Sequence, residues 1–323
     1  MASQTRAASS SLAGRLWQAP TLLLCLAALF WSGNFVLGRA LNGTASPFFL
    51  AFWRWVVALA VLLPFAWPHL RRDGPVLRAH PGRLLLLALL GVASFSVLVY
   101  QGLRSTTAIN GLLLQSVIPV AILLCAFLLF GERPGARQML GVAFSIAGVA
   151  AIACHGSLED LLRLSLHPGD LWVLGAVLSY AVYSTCLRLR PRLHPLSFLT
   201  ASIALSLPPL ALGYALEGSH PMPAPGALLA LGYLAVFPSL LAYLFFNRGV
   251  ELIGAARAGQ FIHLMPLFGS GLAVLFLGER LQLFHAAGLA LIGGGIALSM
   301  SRSRGAAPGG GRSRDLPARK NPG

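Results

Sequence analysis

The apolar positions of this chain neither alternate nor form narrow helical stripes. They gather into runs of about twenty residues separated by short polar turns. A bilayer interior about 30 Å thick needs about 20 helical residues to cross it, because lipid supplies no water to unpaired peptide groups. Measured that way the sequence predicts ten spans, near residues 20–38, 47–67, 84–103, 110–130, 137–154, 169–187, 196–216, 226–246, 257–277 and 283–300. The expected fold class is an all-α membrane protein of ten transmembrane helices.

Charge placement orients those spans. Nineteen Lys and Arg residues fall in the turns of one side and four, Arg39, Arg104, Arg163 and Arg280, in the turns of the other. Positive turns resist translocation, so residues 1–19 and both termini are expected in the cytoplasm. Arg6 and Arg15 precede the first run as they would in a signal peptide. The run's length and the lack of an Ala-x-Ala site predict an uncleaved first span instead. Residues 301–323 are Ser, Gly, Pro and Arg without apolar periodicity, which predicts a disordered basic cytoplasmic tail.

Composition narrows the class further. Hydrophobic residues make up 56% of the 323 and charged residues 10%, too few charges for a soluble domain. A net charge of +15 raises nucleic acid as a partner. The arginines are scattered between apolar runs and form no solvated basic face, which argues against it. Cys25, Cys125, Cys154 and Cys186 lie in or beside apolar runs without metal-ligand spacing. No metal, cofactor or catalytic residue is expected.

The chain also repeats itself. Laying Gly102 to Ala150 on Gly249 to Ala297, an offset of 147 residues, brings Ala108 onto Ala255, Pro119 onto Pro266, Gly131-Glu132-Arg133 onto Gly278-Glu279-Arg280, Gly141 onto Gly288 and Gly148 onto Gly295. An intrahelical proline and a Gly-Glu-Arg triplet do not recur at one offset by chance. Residues 20–154 and 169–300 therefore read as two five-helix repeats joined by an outer loop at 155–168. Five is odd, so the second copy enters from the opposite side and the repeats are inverted, an arrangement that suits transport between two nearly equivalent states.

Trp31-Ser32-Gly33-Asn34-Phe35 with Arg39, Phe52-Trp53-Arg54, and the repeated Gly…Ala…Pro…Gly-Glu…Gly…Gly pattern resemble the EamA-type members of the drug/metabolite transporter superfamily over roughly residues 20 to 300. The resemblance implies a central cavity lined by the first, third, fourth, sixth, eighth and ninth spans. It also implies, as the common case, export of amino acids or other metabolites.

Ionisable groups inside spans are expensive and so become candidates. Arg54 lies about 10 Å into the second span by helical rise, placed to snorkel, to pair or to meet an anionic group. His263, which aligns with Ser116, is a candidate for binding substrate or a coupling proton because histidine is the residue type whose ordinary pKa lies near neutrality. Polar and amphipathic candidates for a pocket are Trp31, Asn34, Tyr100, Gln101, Asn110, Gln115, Tyr180, Tyr183, Tyr243 and Gln260, with Asn247 and Ser116 nearby. Pro119 and Pro266 each remove a backbone hydrogen bond and are candidate gate or bend points. Glu132 and Glu279 read as structural carboxylates at helix N-termini.

The rival classes are an intramembrane enzyme and a receptor or structural membrane protein; the latter would not require inverted halves, and the former needs a nucleophile beside a base. Gly269-Ser270-Gly271 and His263 are two turns apart on one helix, about 10 Å, too far for a direct bond. The expectation is a small-molecule transporter of the bacterial inner membrane, exporting amino acids or amino-acid-like metabolites, with an opine or nicotianamine-like metallophore as the alternative cargo. Proton coupling and the choice between monomer and homodimer stay open.

Overall fold

A computed structural model describes residues 12–41, 43, 45–106, 108–153, 159, 168–218, 225–277 and 283–300. Among them the chain is helical, with no strand. After a short α1 (Leu12–Trp17) come α2 (Pro20–Ala40), α3 (Pro47–Ala79) and α4 (Pro81–Leu103). The first half closes with α5 (Ala108–Gln115), α6 (Ile118–Phe130) and α7 (Ala136–Ala153). The second half runs through α8 (Pro168–Cys186), α9 (Pro195–Leu216), α10 (Gly226–Ile253), α11 (Ala255–Gly259), α12 (Leu264–Leu277) and α13 (Leu283–Met300). Six helices, α2, α3, α4, α8 with its continuation to Leu189, α9 and α10, are long and apolar enough to cross a membrane; α6, α7 and α13 hold shorter apolar stretches. The loop expected over 155–168, apart from Glu159 and Pro168, and the tail from 301 lie outside the described residues, as do Cys154 and the second Gly-Glu-Arg triplet.

Helix ends follow local chemistry. Ser46 caps α3, its Oγ accepting from the Phe49 N–H at 3.1 Å, and Pro47 fills the first turn, where no donor is needed. Gly131 ends α6 in the left-handed region at φ 69°, where a side chain would strain the backbone, and the Glu132 N–H reaches back to Ala126 O. The Glu132 carboxylate pairs with Arg188 across the bundle rather than capping α7, so its structural role is an ion pair between halves.

The offset of 147 is visible in three dimensions. A π-helical segment at Leu89–Ser94 in α4 has its counterpart at Ala235–Leu241 in α10. The break between α5 and α6 at residues 116–117 corresponds to the 3-10 segment Gln260–His263 that precedes α12. Contacts between the halves are reciprocal. A Cβ on Gly148 would stand 2.7 Å from Gly288 O, and one on Gly295 would strike Gly141 O. Gly259 lies against Ile122, and Gly269 against Leu112. Each pair is the other with its partners exchanged, the signature of a two-fold axis. Pairing of 141 with 295 and 148 with 288 also makes α7 and α13 antiparallel, as inverted copies require.

Two expectations need correction. The second span was expected to end near residue 67, yet α3 continues to Ala79 through Pro64, Pro68 and Pro75. Proline's fixed φ is compatible with a helix, and the extension is held by α9: the His69 and His194 rings stack with centroids 3.5 Å apart, and Asp73 accepts from the His194 N–H at 2.8 Å. Pro119 and Pro266 do not kink continuous helices. Each sits in the first turn of a new helix, α6 or α12, after a break already made.

Gly295→Ala should cost about 1–3 kcal/mol by overpacking the α7–α13 seam. Gly293→Ala, one turn face away in open space, should cost nothing; thermal unfolding in detergent compares the two. His194 gives a pH dependence. Burial first, then the neighbouring His69 imidazole, push its pKa below the usual 6.5 against the pull of Asp73. The folded protein binds fewer protons there than the unfolded chain, so the stabilisation is complete above about pH 6.5 and falls as the pH drops through the lowered pKa. Melting temperature should decline from pH 7 to 5, and His194→Asn, which retains a capping side chain, should flatten that decline.

Candidate functional site

Side chains from other helices donate to backbone carbonyls in and beside the irregular segments. Trp31 Nε1 donates to Pro238 O at 3.1 Å, and Ser32 Oγ to Met265 O at 2.9 Å. Ser179 Oγ reaches Leu90 O at 2.8 Å, Ser206 Oγ reaches Ala88 O at 2.9 Å, and the Tyr243 hydroxyl donates to Gly91 O. His263 Nε2 lies 2.8 Å from Ser116 O. These last two residues are 147 apart, so the two-fold axis passes between them.

A cavity of about 10 Å³ sits beside that axis, lined by Trp31, Asn34, Phe35, Phe95, Gln115, Ile118, Tyr180, Ile262 and Met265. It is about as large as one water. Its lining repeats the offset, since Gln115 corresponds to Ile262 and Ile118 to Met265. The first, third, fourth, sixth and ninth expected spans contribute. The eighth stands behind the wall, where Tyr243 and Phe246 pack edge-on or tilted against Trp31 at 5.9 and 5.2 Å between centroids, and Tyr180 joins them at 5.5 Å from Phe246.

Arg54 lies directly behind Asn34. Its Nη1 donates to Asn34 Oδ1 at 2.9 Å and to the Tyr100 hydroxyl at 2.6 Å, while Tyr100 donates to the same Oδ1 at 2.8 Å. Its carbon centre stands 4.8 Å from the Trp55 ring. The side chain is 2% exposed, and among the described residues no carboxylate pairs with it. It does not snorkel. A permanently charged guanidinium is thus held by neutral acceptors and an aromatic face alone.

A second cavity of about 540 Å³ opens at the arginine-rich end. Arg188, Arg190, Arg192 and Arg257 line it with Glu132 and Glu251, and Ser184, Thr185 and Asn247 form its inner wall. Arg190 and Arg248 share Glu251 at 3.5 and 3.2 Å. Between the two cavities the Tyr183 hydroxyl donates to Asn247 Oδ1 at 2.9 Å. The offset carries Asn247 onto Tyr100, so this bond between α8 and α10 answers the Tyr100 to Asn34 bond between α4 and α2. At the opposite end α4 and α8 are closed tightly: Gly169 meets Gly102 O, and Thr106 donates to Asp170.

Of the residues picked from sequence, Trp31, Asn34, Gln115 and Tyr180 line the small cavity and Arg54 and Tyr100 form the layer behind it. Tyr183 separates the cavities, and Tyr243 belongs to the aromatic cluster. Gln260 and His263 are fully buried and Gln101 half-buried, and none of the three lines either cavity. The side chain of Asn110 lies outside the described residues. Phe35, Phe95, Ile118, Ile262 and Met265 were missed, as apolar residues carry no chemical flag. The repeat held a signal for one of them: moving Gln115 by 147 residues names Ile262.

Asn34→Leu should destabilise the protein by about 3 kcal/mol, because it strips a buried charge of an acceptor. Tyr183→Phe should cost under about 1 kcal/mol, since Asn247 can turn to the water-accessible cavity. Denaturant titration in detergent micelles orders the two.

The profile of the EamA-like transporter family matches residues 19–154 and again residues 167–301. Among similar proteins, "Uncharacterized transporter YyaM" of Bacillus subtilis is 27% identical over 270 residues, covering 82% of this chain and 88% of that protein. "Uncharacterized inner membrane transporter YicL" of Salmonella typhimurium is 25% identical over 289 residues, covering 88% and 95%. An S-adenosylmethionine/S-adenosylhomocysteine transporter of Chlamydia trachomatis is 24% identical over 292 residues, covering 84% and 86%. A crystal structure with 22% identity superposes with a TM-score of 0.71 over 87% of this chain and 96% of its own, a likeness of fold.

Proposed function

The chain belongs to the EamA-like transporter family, and on that premise we propose that it is a secondary transporter of the cell inner membrane that exports amino acids or amino-acid-like small metabolites by alternating access. The observation that carries the reading is the position of a part-polar, part-aromatic cavity beside the two-fold axis between inverted halves. A site on that axis is approached equally from both faces, so exchanging the conformations of the two halves exposes it to the other side.

The reading counts each of the ten apolar runs as a span, joining α5 to α6 and α11 to α12 across their breaks. It places both termini and the arginine-lined cavity in the cytoplasm by the distribution of positive turns. The structure is then the cytoplasm-facing state, closed outside by α4 against α8 and gated inside by Tyr183 and Asn247. The cavity near Arg54 suits a carboxylate, and its aromatic wall suits an apolar side chain. The chlamydial relative's named substrates are themselves amino-acid derivatives, which supports the same class. Nothing in the cavity lining forms a nucleophile-base pair, in keeping with relatives named as transporters.

Untargeted metabolite profiling of medium and cytoplasm tests this in a strain lacking the gene, in the strain complemented with it, and in an Arg54→Ala, His263→Ala double variant. One amino-acid-like compound should accumulate severalfold inside the deletion strain, and only the wild-type gene should restore its release. Loss of uptake of a supplied compound, with no internal accumulation, would make the protein an importer and overturn the direction.

A further inference from the structure

We propose that the cavity beside the two-fold axis is a carboxylate site that carries its ligand in net anionic form, Asn34, Gln115 and Tyr180 donating to the carboxylate while Arg54 supplies the compensating charge. This rests on the transport reading above for the cavity, closed here to the size of one water, being where the cargo sits when the site opens, and within that reading it narrows the cargo to amino-acid-like carboxylates of net negative charge.

Asn34 spends its Oδ1 on Arg54 and Tyr100, which leaves its amide hydrogens for the cavity it lines. Gln115 Nε2 has no partner, and neither has the Tyr180 hydroxyl, although both residues are 1% exposed. A buried donor without an acceptor costs free energy in every state in which it stays unmet. Asn34, Gln115 and Tyr180, on α2, α5 and α8, line one cavity and carry three donors that no protein acceptor meets, a set that an oxyanion would satisfy once the side chains turn to it.

Charge accounting then separates anion from zwitterion. Arg54 brings a guanidinium to the site, its Nε lacks a partner as well, and no described carboxylate neutralises it. The remaining lining, Trp31, Phe35, Phe95, Ile118, Ile262 and Met265, is apolar or aromatic and offers an ammonium group no counter-charge. A monoanion brings the loaded site to zero net charge, whereas a zwitterion leaves it at plus one and adds a second buried cation to be solvated. The entrance agrees: four arginines against two glutamates line the larger cavity, a field that gathers anions.

The same arithmetic supplies a driving force. The loaded carrier is neutral in its core and the unloaded carrier bears the Arg54 charge, so an inside-negative membrane potential favours outward release of an anion and inward return of the unloaded site. No proton relay is required. Of the described acidic residues, Asp73, Glu132, Glu159, Asp170, Glu217 and Glu251, none lines the small cavity.

The test uses the purified full chain and four probes of one shape: pentanoate, norvaline, pentanamide and n-pentylammonium. Binding is read from quenching of tryptophan fluorescence, with Trp31 in the cavity wall as reporter, and from thermal stabilisation. Pentanoate should bind at least tenfold more tightly than each of the others. Arg54→Gln should bring pentanoate down to pentanamide. Should that variant fail to fold, Asn34→Asp, which gives Arg54 a carboxylate of its own, should have the same effect on selectivity in a folded protein. Norvaline binding as well as or better than pentanoate overturns the anionic form and leaves amino-acid export standing. No discrimination between pentanoate and pentanamide overturns the carboxylate site itself, while the metabolite profile decides export independently.

Discussion

A hydrocarbon interior offers no hydrogen bond to a peptide group, so each break in a helix of this protein must be answered by another part of it. The core is organised around that debt. In and beside the π segments of α4 and α10 and the break before α12, carbonyls of Ala88, Leu90, Gly91, Pro238 and Met265 accept from side chains of other helices. Ser206, Ser179, Tyr243, Trp31 and Ser32 meet them in that order. At the break after α5 the acceptor is Ser116 O and its partner is His263. Residues that a sequence marks as polar intruders in apolar runs are in large part the answer to irregular backbone, and only the remainder is left to face a ligand.

That division explains how much of the molecule could be read from the sequence. The apolar runs gave the helices and the offset of 147 gave the symmetry, because both are written in residue types that a bilayer and a close helix crossing demand. Gly141, Gly148, Gly288 and Gly295 are cases in which backbone meets backbone and nothing larger fits. The extension of α3 to Ala79 was hidden, since three prolines argue locally for an end and the latch to His194 is a tertiary contact. The function of His263 was hidden for a similar reason. A buried histidine looks the same in sequence whether it faces a cargo or a carbonyl, and its partner lies 147 residues away. Arg54 was legible as unusual, but its isolation from any carboxylate was not.

Symmetry and chemistry part company at the centre. The axis relates Gln115 to Ile262, Ile118 to Met265 and Tyr100 to Asn247, so the two halves share a backbone path while differing in what they present. A carrier needs the shared path, because two states of similar energy follow from two similar halves. A specific carrier needs the difference, because a symmetric lining could not distinguish the two ends of a small molecule.

The seam between α7 and α13 bears on the protein's ancestry. Its glycine contacts are one contact seen twice, which is the form an interface takes when a chain meets a second copy of itself. Such an interface works before any fusion: a five-helix ancestor inserted in both orientations would meet its opposite through this same surface and form an antiparallel pair. With both copies in one chain the encounter is a fold within one molecule and does not depend on concentration. Two copies in one chain need not be identical either, so position 115 can carry glutamine while its counterpart at 262 carries isoleucine.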